Sequence, residues 1–222
     1  MKPALKVRAL RYFNPVCGGR IFIVALLAAG FAARCDAIEI VAIEEHWSLE
    51  IGAPDAASSA PQVSMAMSPY GGLSSVFFVF TLNHRNDPTF TAGGMQVQRW
   101  TGGDLQSSRT GVHTTPLAVD QETVSWVQRM ELTEGQLRFE VNNGASSSWG
   151  AFGSEGNLRI STPTELTNLN LYLPYTSLTQ SGVCFAGNRV KSLTLTKLRW
   201  IDSEGQEYEL QAPIDVDADL DP

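Results

Sequence analysis

Cysteine, histidine and long apolar runs are all scarce in this sequence, and each scarcity closes off a class of protein. There are three cysteines in 222 residues, Cys17, Cys35 and Cys184. The first two fall in a leader-like segment, so a chain trimmed of it holds one cysteine and no intramolecular disulfide. Stability must then come from a hydrophobic core, which about 185 residues are enough to build. Cys184 has no neighbouring base to activate it and is expected to be a buried small hydrophobe. The histidines are His46, His84 and His113, none at metal-ligand spacing from another histidine or a cysteine, so no metal and no cofactor is expected. Gly-x-Ser-x-Gly, the phosphate loop, the dinucleotide fingerprint and His-Glu-x-x-His are missing. The apolar run Ile21 to Ala33 is 13 residues, short of the roughly 20 that a spanning helix needs.

That run does fit a secretory leader. Lys2, Lys6, Arg8, Arg11 and Arg20 form a basic head, the apolar run follows, and Cys35 and Ala37 are a small-x-small exit. Residues 1–37 are therefore expected to be a signal helix, cleaved after Ala37, with an uncleaved anchor as the alternative. Arg34 argues against a lipid-modified Cys35. The expected compartment is exported: periplasm, cell surface or medium. Membrane contact is expected only through the leader, if it is kept. The whole chain carries 16 basic and 23 acidic residues; the leader takes six of the basic ones and Asp36, leaving 10 and 22, net −12. Such a chain lacks the clustered Lys and Arg that a nucleic-acid partner requires.

After residue 37 the pattern is β. Pro, Gly, Asn, Ser and Thr recur every 8 to 15 residues and no stretch keeps a helical period. In 38–51, Trp47, Leu49 and Ile51 share one face. Residues 75–82, SVFFVFTL, read as a strand buried on both faces. Residues 94–101 alternate, with Met95, Val97 and Arg99 on one side, and 104–121 read as a long loop. Residues 123–132 and 136–142 form a hairpin turned at Thr133-Glu134-Gly135, with Leu137, Phe139 and Val141 inward. Asn143-Gly144 reads as a turn and 144–156 as a loop. Short strands are expected at 63–67, 158–160 and 169–173. Residues 189–200 make a long strand with a bulge near Thr196 and Lys197, and 207–211 another. The fold expected is all-β: one antiparallel two-sheet sandwich, jelly-roll-like, over 38–212, followed by an acidic flexible tail over 213–222.

Candidate sites follow from composition. Asn142, Asn143, Trp149 and Phe152 place amides beside aromatic rings, the chemistry of a sugar-binding surface. Asn83, His84 and Arg85 form a polar group at the end of the apolar strand, where a pocket could be lined. No catalytic residue is assigned. Glu44, Glu45, Glu131, Glu134 and Glu140 could supply a hydrolytic pair only if the fold brought two together. The tail carboxylates Asp215, Asp217, Asp219 and Asp221 lack the glycine turn and closing glutamate of a calcium loop. The stretches Glu45-His46-Trp47, Asn83-His84-Arg85 and Trp149-Gly150-Ala151-Phe152-Gly153 resemble a family of uncharacterised exported bacterial proteins; the resemblance covers most of the chain after the leader and implies no activity. The function expected is an exported, non-enzymatic sandwich that binds carbohydrate, such as a polysaccharide, or another cell-surface component. The alternatives are a structural assembly protein and a glycan-active hydrolase or lyase.

Overall fold

The computed structural model describes residues 38–53, 61–85, 90–112, 117, 119–154, 156–185 and 189–216. The leader, His113 and the last six residues lie outside this set, and so do the side chains of His84 and Arg85. Twelve strands and one helix are described: β1 Ile40–Ile51, β2 Gln62–Met67, β3 Val76–Arg85, β4 Phe90–Thr101, β5 Asp104–Val112, β6 Glu122–Thr133, β7 Gln136–Ser146, β8 Gly150–Phe152, β9 Arg159–Pro163, α1 Pro174–Gln180, β10 Gly182–Phe185, β11 Val190–Asp202 and β12 Glu207–Asp215.

The strands form two antiparallel sheets. One runs β12-β11-β1-β6-β7-β8, with β9 also paired to β7; the other runs β10-β2-β3-β4-β5. They meet through aromatic side chains. Phe78 of β3 stacks on Phe139 of β7 with centroids 4.9 Å apart, and Phe80 meets Trp126 of β6 edge-on at 5.8 Å. Both arrangements suit the ring quadrupole. The alternation read from β1 and β7 places Trp47, Leu49, Ile51, Leu137, Phe139 and Val141 in this core. β3 is the central strand of its sheet, and Phe77 to Leu82 are buried on both faces.

Local chemistry sets the turns. Glu134 and Gly135 both take positive φ, 51° and 72°, as a two-residue hairpin turn between β6 and β7 needs. The bulge foreseen in β11 is present: His46 pairs with Lys197 and Trp47 with Leu195, so Thr196 is the extra residue, and its hydroxyl donates to the His46 carbonyl at 2.9 Å. That slip moves the inward set from Leu193 and Leu195 to Leu198 and Trp200.

Several expectations are corrected. Residues 104–112 are a strand, β5, and not loop; as an edge strand with little burial it shows no apolar alternation. Asn143-Gly144 does not turn the chain. Asn143 sits at φ 50° in a bulge of β7, where the register slips between Ser125/Ala145 and Val127/Asn142. Residues 150–152 add the short strand β8. Residues 169–173 are no strand, because only Leu169 is buried while Leu171 and Leu173 are exposed; they lead into α1, begun by Pro174. Cys184 is exposed on β10, although the surrounding protein still pushes its thiol upward against a bond from Ser64. Residues 213–215 belong to β12, which continues to Asp215, whose carboxylate accepts from Leu193 N at 3.1 Å; residues 217–222 of the expected tail lie outside the described residues.

Candidate functional site

The outer face of the seven-stranded sheet is ionic. Register sets Glu209, Arg199, Glu44, Arg129, Glu140 and Arg159 side by side across six strands, alternating in sign. Glu44 contacts both Arg129 and Arg199. Arg129 and Arg138 share Glu131, at 2.7 and 2.9 Å, and Arg159 meets Glu140 at 2.6 Å. The His46 imidazole, with Nε2 3.7 Å away, and the two guanidiniums hold the Glu44 carboxyl down from 4.5 to about 2 against the cost of burial. At 3.7 Å the imidazole is beyond hydrogen-bond reach, so the guanidiniums in direct contact dominate. A carboxylate held this low is a fixed charge, and its cations are already satisfied. Among the described residues, this row offers neither a poised acid nor a free cation to a ligand.

One residue on, Glu45 points inward and is fully buried. It accepts from Tyr172 Oη at 2.7 Å, Ser177 Oγ at 2.5 Å and Trp47 Nε1 at 3.0 Å. Desolvation raises its pKa, and these bonds only partly oppose it. The carboxyl ties α1 and the segment before it to β1. Gln128 lies opposite it in register and is also fully buried; neither end of its amide makes a hydrogen bond among the described residues. None of these residues lines either of the two described cavities.

The sites expected from sequence separate. Phe152 is buried, and a Cβ at Gly144 would lie only 2.2 Å from its ring, so Phe152 seals one end of the core. Trp149 is half-buried and meets Phe152 edge-on at 6.2 Å. Asn142 donates to Glu140 at 3.1 Å and Asn143 is taken up by the bulge. The Ser146–Trp149 turn is organised by Glu122, which accepts from Ser146 Oγ at 2.5 Å and from the Ser148 amide at 3.2 Å. These residues form one corner of the sandwich, in which Asn143, Ser147 and Ser148 stay exposed. Asn83 is fully buried at φ 55°, its amide donating to the Pro61 carbonyl at 2.8 Å. It fastens two strands together, while His84 and Arg85 contribute no described side chain.

The outer face of the five-stranded sheet is of another kind. Register places Phe77, Trp100 and Leu105 in one row, Ala66, Val79, Gln98 and Ser108 in the next, and Ser64, Thr81, Gln96 and Thr110 in a third. None of these eleven side chains is charged. Phe77 and Trp100 stack at 6.3 Å with planes 9° apart, and Trp100 Nε1 donates to Gln98 Oε1 at 3.2 Å. Gln96 Nε2 reaches Thr110 Oγ1 at 3.4 Å, and the Ser64 and Thr81 hydroxyls pair at 3.0 Å. Trp100 and Gln98 are half-buried, Leu105, Ser108 and Thr110 exposed. Burial of Phe77 and Val79 anchors the indole, so its orientation is set before any ligand arrives. Amides and hydroxyls both donate and accept, which matches the groups of a sugar ring. The indole offers an apolar plane for its C–H face. The sequence signal was the alternation of Gln96, Gln98 and Trp100; what hid the site was β5, read as loop.

Among the described residues no helix is long and apolar enough to cross a membrane, and no group of three His, Cys, Asp or Glu could hold a metal ion. Comparison with protein-family models and with curated proteins found no match to this chain.

Proposed function

We propose that this is an exported, non-enzymatic sandwich that binds a carbohydrate chain on the outer face of its five-stranded sheet. The observation that carries the reading is the uncharged face around Trp100, where a held indole lies beside Gln98 and the exposed hydroxyls of Ser108 and Thr110. Export rests on the leader read in residues 1–37. The jelly-roll reading rests on the repeated passage of the chain between sheets: β1 to β2, β5 to β6, β9 to β10 and β10 to β11. Binding requires no ionisation on this face, in keeping with a recognition role.

The test is glycan-array or affinity-electrophoresis retention of the wild type against Trp100→Ala and Gln98→Ala. Loss of the aromatic platform is expected to weaken retention about tenfold or more, and loss of the amide about three- to tenfold. Circular dichroism must show both variants folded. If no glycan is retained, or a folded Trp100→Ala variant is retained like the wild type, the reading fails.

A further inference from the structure

At the open side of the sandwich, edge strand β5 faces β9 across a cleft of about 470 Å³ lined by Ser107, Arg109, Asn157, Arg159 and Ser161 among others. Its two walls belong to different sheets. On β5 the side chains alternate. Ser108 and Thr110 lie on the outer face with Gln98 and Gln96, while Ser107 and Arg109 share the side of Arg99 and Val97. One strand therefore edges both the neutral face and the cleft.

The cleft is cationic in an acidic chain. The full sequence has a formal charge of −7. Arg129, Arg138, Arg159 and Arg199 are ion-paired, and Arg189 is buried with its donors on the carbonyls of Gly52, Ala53 and Leu117. Arg109 makes no hydrogen bond or ion pair among the described residues. Arg99, beside it on β4, donates to Thr162 Oγ1 at 3.1 Å and has no carboxylate partner among the described residues. Arg159 Nε is held by Glu140 at 2.6 Å, so among the described residues the uncompensated charge of the lining is that of Arg109. The buried Ser107 hydroxyl has no partner among the described residues, and Asn157 and Ser161 add donors. Guanidinium donors flanked by hydroxyls and an amide match a planar carboxylate or a sulfate.

We propose that this cleft is an anion subsite that takes a carboxylate or sulfate group carried on the bound glycan, so that the preferred ligand is an acidic polysaccharide. The nature of the carrier rests on the glycan reading above; the anion chemistry rests on the cleft. A chain lying over Trp100 and Gln98 and crossing β5 presents its substituents to Arg109.

The experiment titrates the full chain with oligogalacturonate, sulfated dextran oligomers and neutral glucan oligomers, at low and high NaCl, for wild type, Arg109→Gln and Ser107→Ala. Inorganic sulfate and monomeric galacturonate serve as competitors. The acidic oligomers are expected to bind about tenfold tighter than the neutral ones, an advantage that salt reduces. Arg109→Gln should abolish that advantage and leave neutral binding unchanged, with a smaller loss for Ser107→Ala. Equal binding of neutral and acidic oligomers overturns the subsite and leaves the glycan reading standing. Failure of every oligomer overturns both. Acid preference that survives Arg109→Gln, or free sulfate binding as tightly as the oligomers, also overturns the proposal.

Discussion

Glu44 and Glu45 are adjacent in β1, and the pleat sends one to each side of the seven-stranded sheet. Outside, Glu44 meets guanidiniums at the water boundary and is stabilised as an anion. Inside, Glu45 meets two hydroxyls and an indole N–H and is penalised as an anion by desolvation. The same side chain is thus a charge on one face and a hydrogen-bond hub on the other. A folded pKa below 4.5 makes the Glu44 contribution present above about pH 4.5 and lost as pH falls toward 2. A raised folded pKa makes the Glu45 contribution present below 4.5 and lost as pH rises through its folded value. The two carboxyls bend the pH–stability curve in opposite senses.

The largest effect is expected inside. Glu45→Ala would leave Tyr172, Ser177 and Trp47 with unmatched buried donors, at a cost of about 3–5 kcal/mol, read as a fall in the urea midpoint. Glu45→Gln keeps an acceptor and should cost clearly less, while removing that group's share of the pH dependence. If the alanine and glutamine variants are equally destabilised, the hub account is broken.

Outside, Glu44→Gln should cost roughly 3 kcal/mol at pH 7, taking the fall from 4.5 to about 2 at its full value. The gap to wild type should close between about pH 4.5 and 2, as urea unfolding across that range would show. A gap that persists at low pH would mean packing, and not charge, gives Glu44 its value. In the neighbouring row of the same face, Arg138→Met should cost under about 1 kcal/mol, because a third of that side chain is in water and the pair is screened. A loss near that of Glu44 would instead show the two rows acting as one coupled network.

The smallest effect sharpens the contrast with the β5–β9 cleft. Arg109 is exposed and has no partner among the described residues, so Arg109→Gln should leave stability within about 0.5 kcal/mol of wild type by thermal or chemical unfolding. An arginine that can be lost from the fold without cost is one whose charge is available for recognition. A marked loss of stability would assign it to structure.

Much of the fold was legible in the order of residues. β1, β3, β6, β7 and β11 follow from alternation or from a continuous apolar run, because each faces a core on at least one side and its burial demands the pattern. The β11 bulge was legible as a break in that alternation. β5 was not, since an edge strand is held by backbone bonds to β4 and leaves its side chains in water. The candidate site was half legible for the same reason. Gln96, Gln98 and Trp100 showed the side chains of one strand of it, β4, while Ser108 and Thr110 sat in what read as loop. The corner at Trp149 was legible only as a composition; the packing of Phe152 over Gly144 and the Glu122-bonded serine turn depend on the fold.

The sequence by itself determined that this chain builds antiparallel β structure around an apolar core, because the two-residue period of side chains is a local property of an extended backbone. It also determined the acidic balance and the absence of known catalytic motifs. Only the tertiary structure decided which arginines are neutralised, which of two neighbouring glutamates is favoured as an anion and which is penalised, and which aromatic faces outward. Those properties depend on cross-strand register and on the meeting of two sheets, where partners arrive from up to about 155 positions away in the chain.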